Sequence, residues 1–235
     1  MKLSNNKTIS IIIPVLNEEE HIGKLLAYLK KQTSSKNHIE EILIVDGGSL
    51  DNTLNIATKH GATIFSSAKG RAKQMNFGAK KATGDILYFL HADTLPPKNF
   101  DAYISKAVSE GKEAGCFRMR FDSNSLILKL FAWFTKMNYT ICRGGDQSLF
   151  ISQELFSKTN GFNEDYIIYE DNEFIGRLYK ITQFKVLSQR VRTSARKYEE
   201  NGLLRLQYHF SIIHLKKLFG APPSALYDYY KRKVV

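Results

Sequence analysis

Two cysteines, Cys116 and Cys142, are all that 235 residues provide, and neither stands in a CxxC or zinc-type spacing. That excludes a disulfide framework and a cysteine-built structural metal site, and makes a reducing, cytoplasmic compartment the default expectation. Long apolar runs are missing as well. The stretch "ISIIIPVL" (Ile9 to Leu16) has Pro14 inside it and no small-residue cleavage site after it, and it falls well short of the ~20 residues that a membrane span needs. It reads as a core strand. No internal repeat, low-complexity tract or Pro/Gly/Ser-rich linker interrupts the chain, so no domain boundary is expected. Acidic residues are the scarcer charge: 23 against 34 basic ones leave a net charge of +11. Such a balance favours anionic partners, whether nucleic acid, an anionic membrane surface or a phosphorylated small molecule, without choosing among them. There is no Walker loop, and no GxGxxG follows the first strand, which argues against ATPase and dinucleotide-binding readings.

What is present is an alternation. After "ISIIIPVL" comes "EEHIGKLLAYLKKQ" (Glu19 to Gln32), with Ile22, Leu25, Leu26 and Leu29 at helical spacing. "EEILIVDGG" repeats the strand pattern and "SLDNTLNIATKHG" the helix. "ATIFSS", "GRAKQMNFGAKKATG" and "DILYFLHAD" then give strand, helix and strand. Alternating strands and helices imply a mostly parallel α/β sheet, in which ligands bind at the carboxyl ends of strands. Beyond Thr94 the alternation fails. A helix near Asn99 to Ser109, a strand "GCFRMRF", an apolar helix "SLILKLFAWFTKMNYTI", a glycine loop "RGGDQSLFI" and the acidic "YIIYEDNEFIGRLYK" suggest antiparallel or mixed strands and a second substrate's pocket.

The strand ends concentrate the chemistry. Asp46 in "VDGGS" closes a strand, where its carboxylate could accept N–H groups of a nucleobase; equally, Asp-Gly-Gly-Ser is a turn in which Ser49 or Asp51 caps a helix. In "PVLNEE", Asn17 is a candidate helix N-cap, and Glu18 a candidate contact to a ribose or base. "GRAKQMN" sets Gly70, Arg71 and Lys73 at a helix start, suited to a diphosphate or simply a solvated basic face. Asp93, ending "LYFLHAD", is either a helix cap or an oxygen ligand for Mg²⁺ or Mn²⁺ bridging two phosphates. Strand alternation would put His91 on the same side as Asp93.

Taken in order, "PVLNEEEHI", "IVDGGSLDNT", "GRAKQMNFG", "FLHADT", "GGDQSLF" and "YEDNEF" resemble the nucleotide-sugar-dependent family 2 glycosyltransferases of the GT-A fold. The wording is closest to a bacterial subgroup labelled arsenosugar-biosynthesis-like. The resemblance implies one domain over residues 1–235, with a nucleotide-sugar-binding half at 1–95, an acceptor and catalytic half at 96–200, and a helical C-terminal extension at 201–235. It implies donor contacts at Pro14, Asn17, Glu18, Asp46, Gly70, Arg71, Ala92, Asp93 and Arg196, and an acceptor-side loop at Gly145, Asp146 and Gln147. Asp93 matches the last aspartate of the family's metal-binding Asp-X-Asp signature, and His91 stands where the first would be. Asp171 matches the general base, with Glu170 beside it. The implied cofactor is Mn²⁺ or Mg²⁺ and the implied partners are a UDP-sugar and a hydroxyl acceptor, not nucleic acid. A Gln-x-x-Arg-Trp motif of processive members is absent, which favours transfer of a single sugar with inversion. A sugar nucleotidyltransferase would need an N-terminal glycine-rich loop that the chain lacks, and the remaining alternative is a non-catalytic nucleotide-sugar or membrane-surface binding module.

Two stretches bear on a membrane. "SLILKLFAWFTKMNYTI" is apolar almost all round, the pattern of a core helix or, alternatively, of a surface that meets lipid or an apolar acceptor. "LLRLQYHFSIIHLKKLFG" and "YDYYKRKVV" end the chain in aromatics and positive charge. They are expected to pack on the domain, on a second copy of the chain as a homodimer, or on anionic lipid at the inner face of the membrane.

Overall fold

The computed structural model describes residues 7–234. Strand β1 (Ile9–Val15) is buried at every position, and its side chains divide by alternation: Ile9, Ile11 and Ile13 enter one apolar cluster and Ile12 the other. A strand dry on both faces needs cover on both. α1 (Ile22–Gln32) covers one side with Ile22, Leu25, Leu26 and Leu29. β2 (Ile39–Asp46), α2 (Thr53–Lys59), β3 (Thr63–Ser66), α3 (Arg71–Lys81) and β4 (Ile86–Phe89) continue the alternation. β1 pairs in parallel with β2 and with β4, and β2 with β3. α3 lies directly on the other face because residue 78 is glycine: a Cβ there would come within 2.6 Å of Ile12 Cγ2 and 2.9 Å of Val45 Cγ2.

The second half closes the same sheet. β5 (Thr94–Leu95), α4 (Phe100–Ser109), β6 (Ala114–Phe121), α5 (Leu126–Phe134), β7 (Leu149–Ser152), α6 (Gln153–Lys158), α7 (Glu170–Ile181) and β8 (Lys185–Thr193) give eight strands in the order β3-β2-β1-β4-β7-β6-β8-β5. β7 runs antiparallel between β4 and β6, β6 and β8 are parallel, and β5 is antiparallel to β8. The mixed strands expected beyond Thr94 are there. α7 is fixed to the sheet by packed aromatics: Phe174 lies 4.5 Å from Phe162, which lies 5.0 Å from Phe89 on β4. Truncating such a buried ring typically costs about 3–5 kcal/mol, so the first turn of α7 has little freedom to shift.

Three expectations are corrected. Asn17 does not cap α1, which begins five residues later behind His21, and Ser49 does not cap α2; Asn52 holds the N-cap position of α2, but the Asp51 carboxylate accepts the helix's first N–H, that of Thr53, at 3.0 Å. β4 stops at Phe89, so His91 and Asp93 sit on the loop after it and strand alternation does not govern them. The apolar helix is not a core helix: α5 buries Leu128 alone, while Leu126 is 79%, Leu130 53% and Trp133 50% exposed. Wide apolarity cannot distinguish burial from an uncovered face.

α8 (Arg196–Asn201), α9 (Leu203–Leu218) and α10 (Pro223–Lys233) form the C-terminal extension. It packs on the domain: Ile213 and Leu226 make a small core with Tyr166, and Phe210 and Tyr230 flank it. Tyr169, immediately before α7, holds a left-handed φ of 72°, and its hydroxyl meets His214 Nδ1 at 2.9 Å. Burial pushes the His214 imidazole below its ordinary pKa. A depressed folded-state pKa contributes stability that is present above the unfolded value, about 6.5, and is lost as pH falls through the folded value. Protection factors of the α9 and α10 amides, with the intrinsic pH dependence of exchange divided out, should therefore fall as pH drops below about 6.5 in the parent protein and change less in His214→Gln, which keeps a hydrogen-bonding group without the titration. Equal pH dependence in both proteins would dissociate His214 from the docking.

Candidate active site

The loops after β1, β2 and β4 converge at the carboxyl edge of the parallel strands, as the topology requires. The first two are laced together. Asn17, with φ 55°, accepts a hydrogen bond from Leu50 N–H at 2.8 Å and donates its own N–H to Ser49 Oγ at 2.9 Å; Glu18 N–H donates to Thr53 Oγ1 at 2.7 Å. From beneath, the buried Gln74 amide on α3 donates to Val15 O at 2.8 Å and Val45 O at 2.7 Å, joining the ends of β1 and β2. Asn76 does the same toward the loop before α7, donating to Phe162 O and accepting from Phe162 N–H, both at 2.9 Å. These amides set the orientation of α3 and so aim Arg71, its first residue.

Above them lies a cavity of about 400 Å³, lined among others by Pro14, Glu18, Arg71, His91, Ala92 and Asp93 from the first half. Gly145, Asp146, Glu170, Asp171, Arg196 and Lys197 line it from the second. Glu170 and Asp171 are the first two residues of α7 and are 1% and 7% exposed. Adjacent carboxylates so deeply placed repel one another and resist ionisation unless cations answer them. Arg71 answers Glu170, Nε to Oε1 at 2.6 Å, although neither Glu170 oxygen gains a well-directed hydrogen bond among the described residues. Burial, outweighing Arg71, holds the Glu170 carboxyl above its usual range, with Asp171 adding to the rise. His91 answers Asp171, Nε2 to Oδ2 at 3.7 Å, and its Nδ1 faces Asp146 Oδ1 at 3.8 Å. Burial alone would depress His91, but the neighbouring Asp146 and Asp171 carboxylates outweigh it and raise its pKa. Desolvation likewise lifts Asp146, and His91, Lys197 and Arg71 more than reverse that and lower it. No hydrogen bond occupies either oxygen of Asp171 among the described residues, which leaves the carboxylate open to the cavity.

Gly145 makes this approach sterically possible. A Cβ at that position would fall on Asp171 Oδ2 and lie 2.7 Å from His91 Cε1. The glycine loop is itself pinned by Arg143, which is buried, donates to Gln147 Oε1 at 2.7 Å and Thr135 O at 2.8 Å, and accepts at its carbonyl from Asn172 of α7 at 2.7 Å.

Asn17, Asp46, Gly70 and Gln147 lie off the cavity wall. Asn17 is spent on the lacing already described. Asp46 ends β2 as expected, but its carboxylate accepts from Gly48 N–H, Ser49 N–H and Ser49 Oγ at 2.6–3.0 Å, so the residue builds its own turn. Gly70 precedes α3 and supplies its carbonyl to Gln74 N–H. Gln147 is turned inward to Arg143 and to Cys142 O. Arg143, Gln74, Asn76, Tyr169 and His214 were not singled out for the site from the sequence. Gln74 and Asn76 stood in the quoted "GRAKQMN", where a polar residue on the buried face of a helix is a readable signal.

Residues for a cation are fewer than expected. Among the described residues no group of three His, Cys, Asp or Glu side chains has the arrangement to hold a metal ion. Both His91 nitrogens face carboxylates, Nε2 toward Asp171 and Nδ1 toward Asp146, so neither lone pair is directed at open cavity space. Asp93 fits better: it lines the cavity, forms no ion pair among the described residues, and is touched only by Thr94 Oγ1 at 3.3 Å. Glu18, raised first by its burial, is raised further by Asp93. Glu18 lines the same cavity but is paired with His21 at 3.1 Å, so among the described residues Asp93 is the unpaired oxygen donor suited to a hard divalent cation that takes its other ligands from substrate and water.

The family model Glycosyl transferase family 2 matches residues 10–163. Glucosyl-3-phosphoglycerate synthase of Petrotoga mobilis is 31% identical over 103 residues, covering 40% of this chain and 32% of that protein. The poly(ribitol-phosphate) beta-N-acetylglucosaminyltransferase TarS of Staphylococcus aureus is 30% identical over 128 residues, 52% of this chain and 20% of that one. This chain therefore spans a third or less of the length of either relative. The crystal structure of S. aureus TarS 1–349 with UDP-GlcNAc superposes with a TM-score of 0.66 at 23% identity, over 80% of this chain and 58% of that one. Glucosyl-3-phosphoglycerate synthase of Mycobacterium tuberculosis with Mn²⁺, UDP and glucosyl-3-phosphoglycerate gives 0.64 at 17% identity, over 92% and 81%. At such identities the likeness is one of fold, and the fold is the GT-A arrangement that the sequence motifs imply. With more than half of its length matching that model, the chain belongs to glycosyl transferase family 2.

Proposed function

We propose that the protein transfers one sugar from a nucleoside-diphosphate sugar, a UDP-sugar in the first instance, to an acceptor hydroxyl with inversion. The observation that carries this reading is Asp171, a carboxylate free of hydrogen bonds among the described residues at the start of a rigidly packed helix, lining the same cavity as Asp93. Asp171 takes the proton of the acceptor hydroxyl while that oxygen attacks the anomeric carbon from the face opposite the departing diphosphate. Arg71, Arg196 and Lys197 surround the space where charge grows on the leaving group. Asp93 would hold the Mn²⁺ or Mg²⁺, which when bound neutralises diphosphate charge as a Lewis acid. Glu170 is in this reading a positioning residue, since its carboxylate is directed at Arg71. The names of the relatives support the donor class: a UDP-GlcNAc complex for TarS, and Mn²⁺ with UDP for the mycobacterial synthase.

Asp171→Asn should bind UDP with Mn²⁺ as the parent does in calorimetry and lose about 10²- to 10⁴-fold in transfer rate; transfer near the parent rate would remove the base assignment. In Asp93→Ala the difference in UDP affinity between Mn²⁺ and chelator should collapse, and an unaltered difference would place the cation elsewhere. Gly145→Ala should leave UDP affinity within about twofold while lowering kcat by about 10²-fold, the scale of a 1 Å displacement of a reacting group. A larger loss of affinity than of kcat would assign Gly145 to the donor.

A further inference from the structure

A second cavity, of about 570 Å³, lies between α5 and strands β6 and β8, with a lining distinct from that of the first. Its wall contains Arg118 and Arg120 from β6, Arg190 and Arg192 from β8, and Lys129 and Lys136 from α5, against a single carboxylate, Asp122. The register is unusual. β8 bulges between its partners of Phe117 and Arg118, and the pairing that follows sets Arg118 opposite Arg190 and Arg120 opposite Arg192. Like charges facing each other across a ladder are destabilising, and alternation repeats the conflict on the same face. Among the described residues none of the six cations forms an ion pair, and Arg118 Nε is buried with no hydrogen-bond partner. A cavity so built is completed by an anion with several acceptor oxygens, and guanidinium pairs match phosphate.

The neighbouring surface says where that phosphate comes from. α5 forms one wall of the cavity through Lys129, Ala132, Trp133 and Lys136, and on its outer side Leu126, Ile127, Leu130 and Phe134 are all at least 40% exposed. Lysines at the foot of an uncovered apolar helix face fit an interface at which acyl chains adjoin anionic headgroups. We propose that this cavity receives the phosphate headgroup of an anionic lipid, with the apolar face of α5 seated in the adjoining bilayer interface. Among the described residues no helix is long and apolar enough to cross a membrane. Nothing in this placement depends on sugar transfer.

Trp133 is the only tryptophan in the chain, is 50% exposed, and lies on the cavity wall, so its emission reports the contact directly. Vesicles of phosphatidylcholine containing phosphatidylglycerol should shift the emission to the blue and float the protein, whereas pure phosphatidylcholine should do neither. Raising salt from about 0.1 M to about 0.5 M should weaken the effect. The double variant Arg120→Gln, Arg192→Gln relieves one like-charge pair without removing the reporter. It should melt at or above the parent temperature, bind UDP equally well, and partition to the mixed vesicles at least about tenfold more weakly. Leu218→Ser, Phe219→Ser, on the exposed end of the C-terminal extension, should partition like the parent. Absence of a shift or of flotation with the mixed vesicles would overturn the proposal. So would a shift produced by inorganic phosphate but not by vesicles, which would mark a soluble anion, or loss of flotation in the Leu218/Phe219 variant but not in the arginine variant.

Discussion

The constraint on which this site rests is the placement of two successive carboxylates, Glu170 and Asp171, where almost no water reaches them. Neither the helix N-terminus nor the backbone alone compensates two such charges, because a macrodipole supplies only about half an elementary charge. The protein supplies Arg71 to one and His91 to the other, the first from the start of α3 and the second from the loop after β4. Every element that holds those two cations in reach is therefore part of the site. α3 is fixed by Gln74 and Asn76, whose amides would otherwise be costly in a dry interior. α7 is fixed by Phe174 against Phe162 and Phe156. Tyr169 turns into α7 through a left-handed φ, held by His214 of the extension.

This arrangement explains why the two carboxylates have different prospects. Glu170 is matched by a guanidinium at ion-pair distance and is more deeply buried, so its position is settled before any ligand arrives. Asp171 meets an imidazole at 3.7 Å, too far for a hydrogen bond, and Gly145 leaves the space beside its Oδ2 empty of side chain. One carboxylate is held and its neighbour is left open, a division of labour set by one residue of helix phase. Arg143 extends the same logic to the facing loop, since its guanidinium, buried among carbonyls and an amide, fixes Gly144 to Asp146.

Much of the first half was legible because period and composition agree there. β-branched runs alternate with amphipathic helices, and the strand ends named from the sequence are the ones that converge. What the sequence did not disclose is which polar residue at a strand end faces a ligand and which faces its own backbone. Asp46 and Asp93 both follow apolar runs, yet Asp46 closes a turn on Gly48 and Ser49 while Asp93 opens to the cavity. Gly48, at φ 99°, lets the chain after Asp46 fold back onto its carboxylate, a turn that Asp-Gly-Gly-Ser permits but does not require. The same holds for His91, where the end of β4 at Phe89 replaces strand alternation with loop geometry. α5 failed for another reason: an all-apolar helix signals desolvation without saying by what, and here the domain covers only Leu128.

The net charge of +11 also acquires a distribution. In the first cavity Arg71 is paired with Glu170, and His91 faces Asp171 and Asp146, so a diphosphate must compete with Glu170 for Arg71. On the β6–β8 face the arginines oppose one another and remain unmatched. β8 serves both places, with Arg192 on the wall of the second cavity and Thr193 on that of the first. Successive strand residues point to opposite sides, so one strand end can carry two anion-facing surfaces without either sharing a side chain. A shift of β8 along β6 would be felt in both, and the bulge before Arg190 is the feature that sets that register.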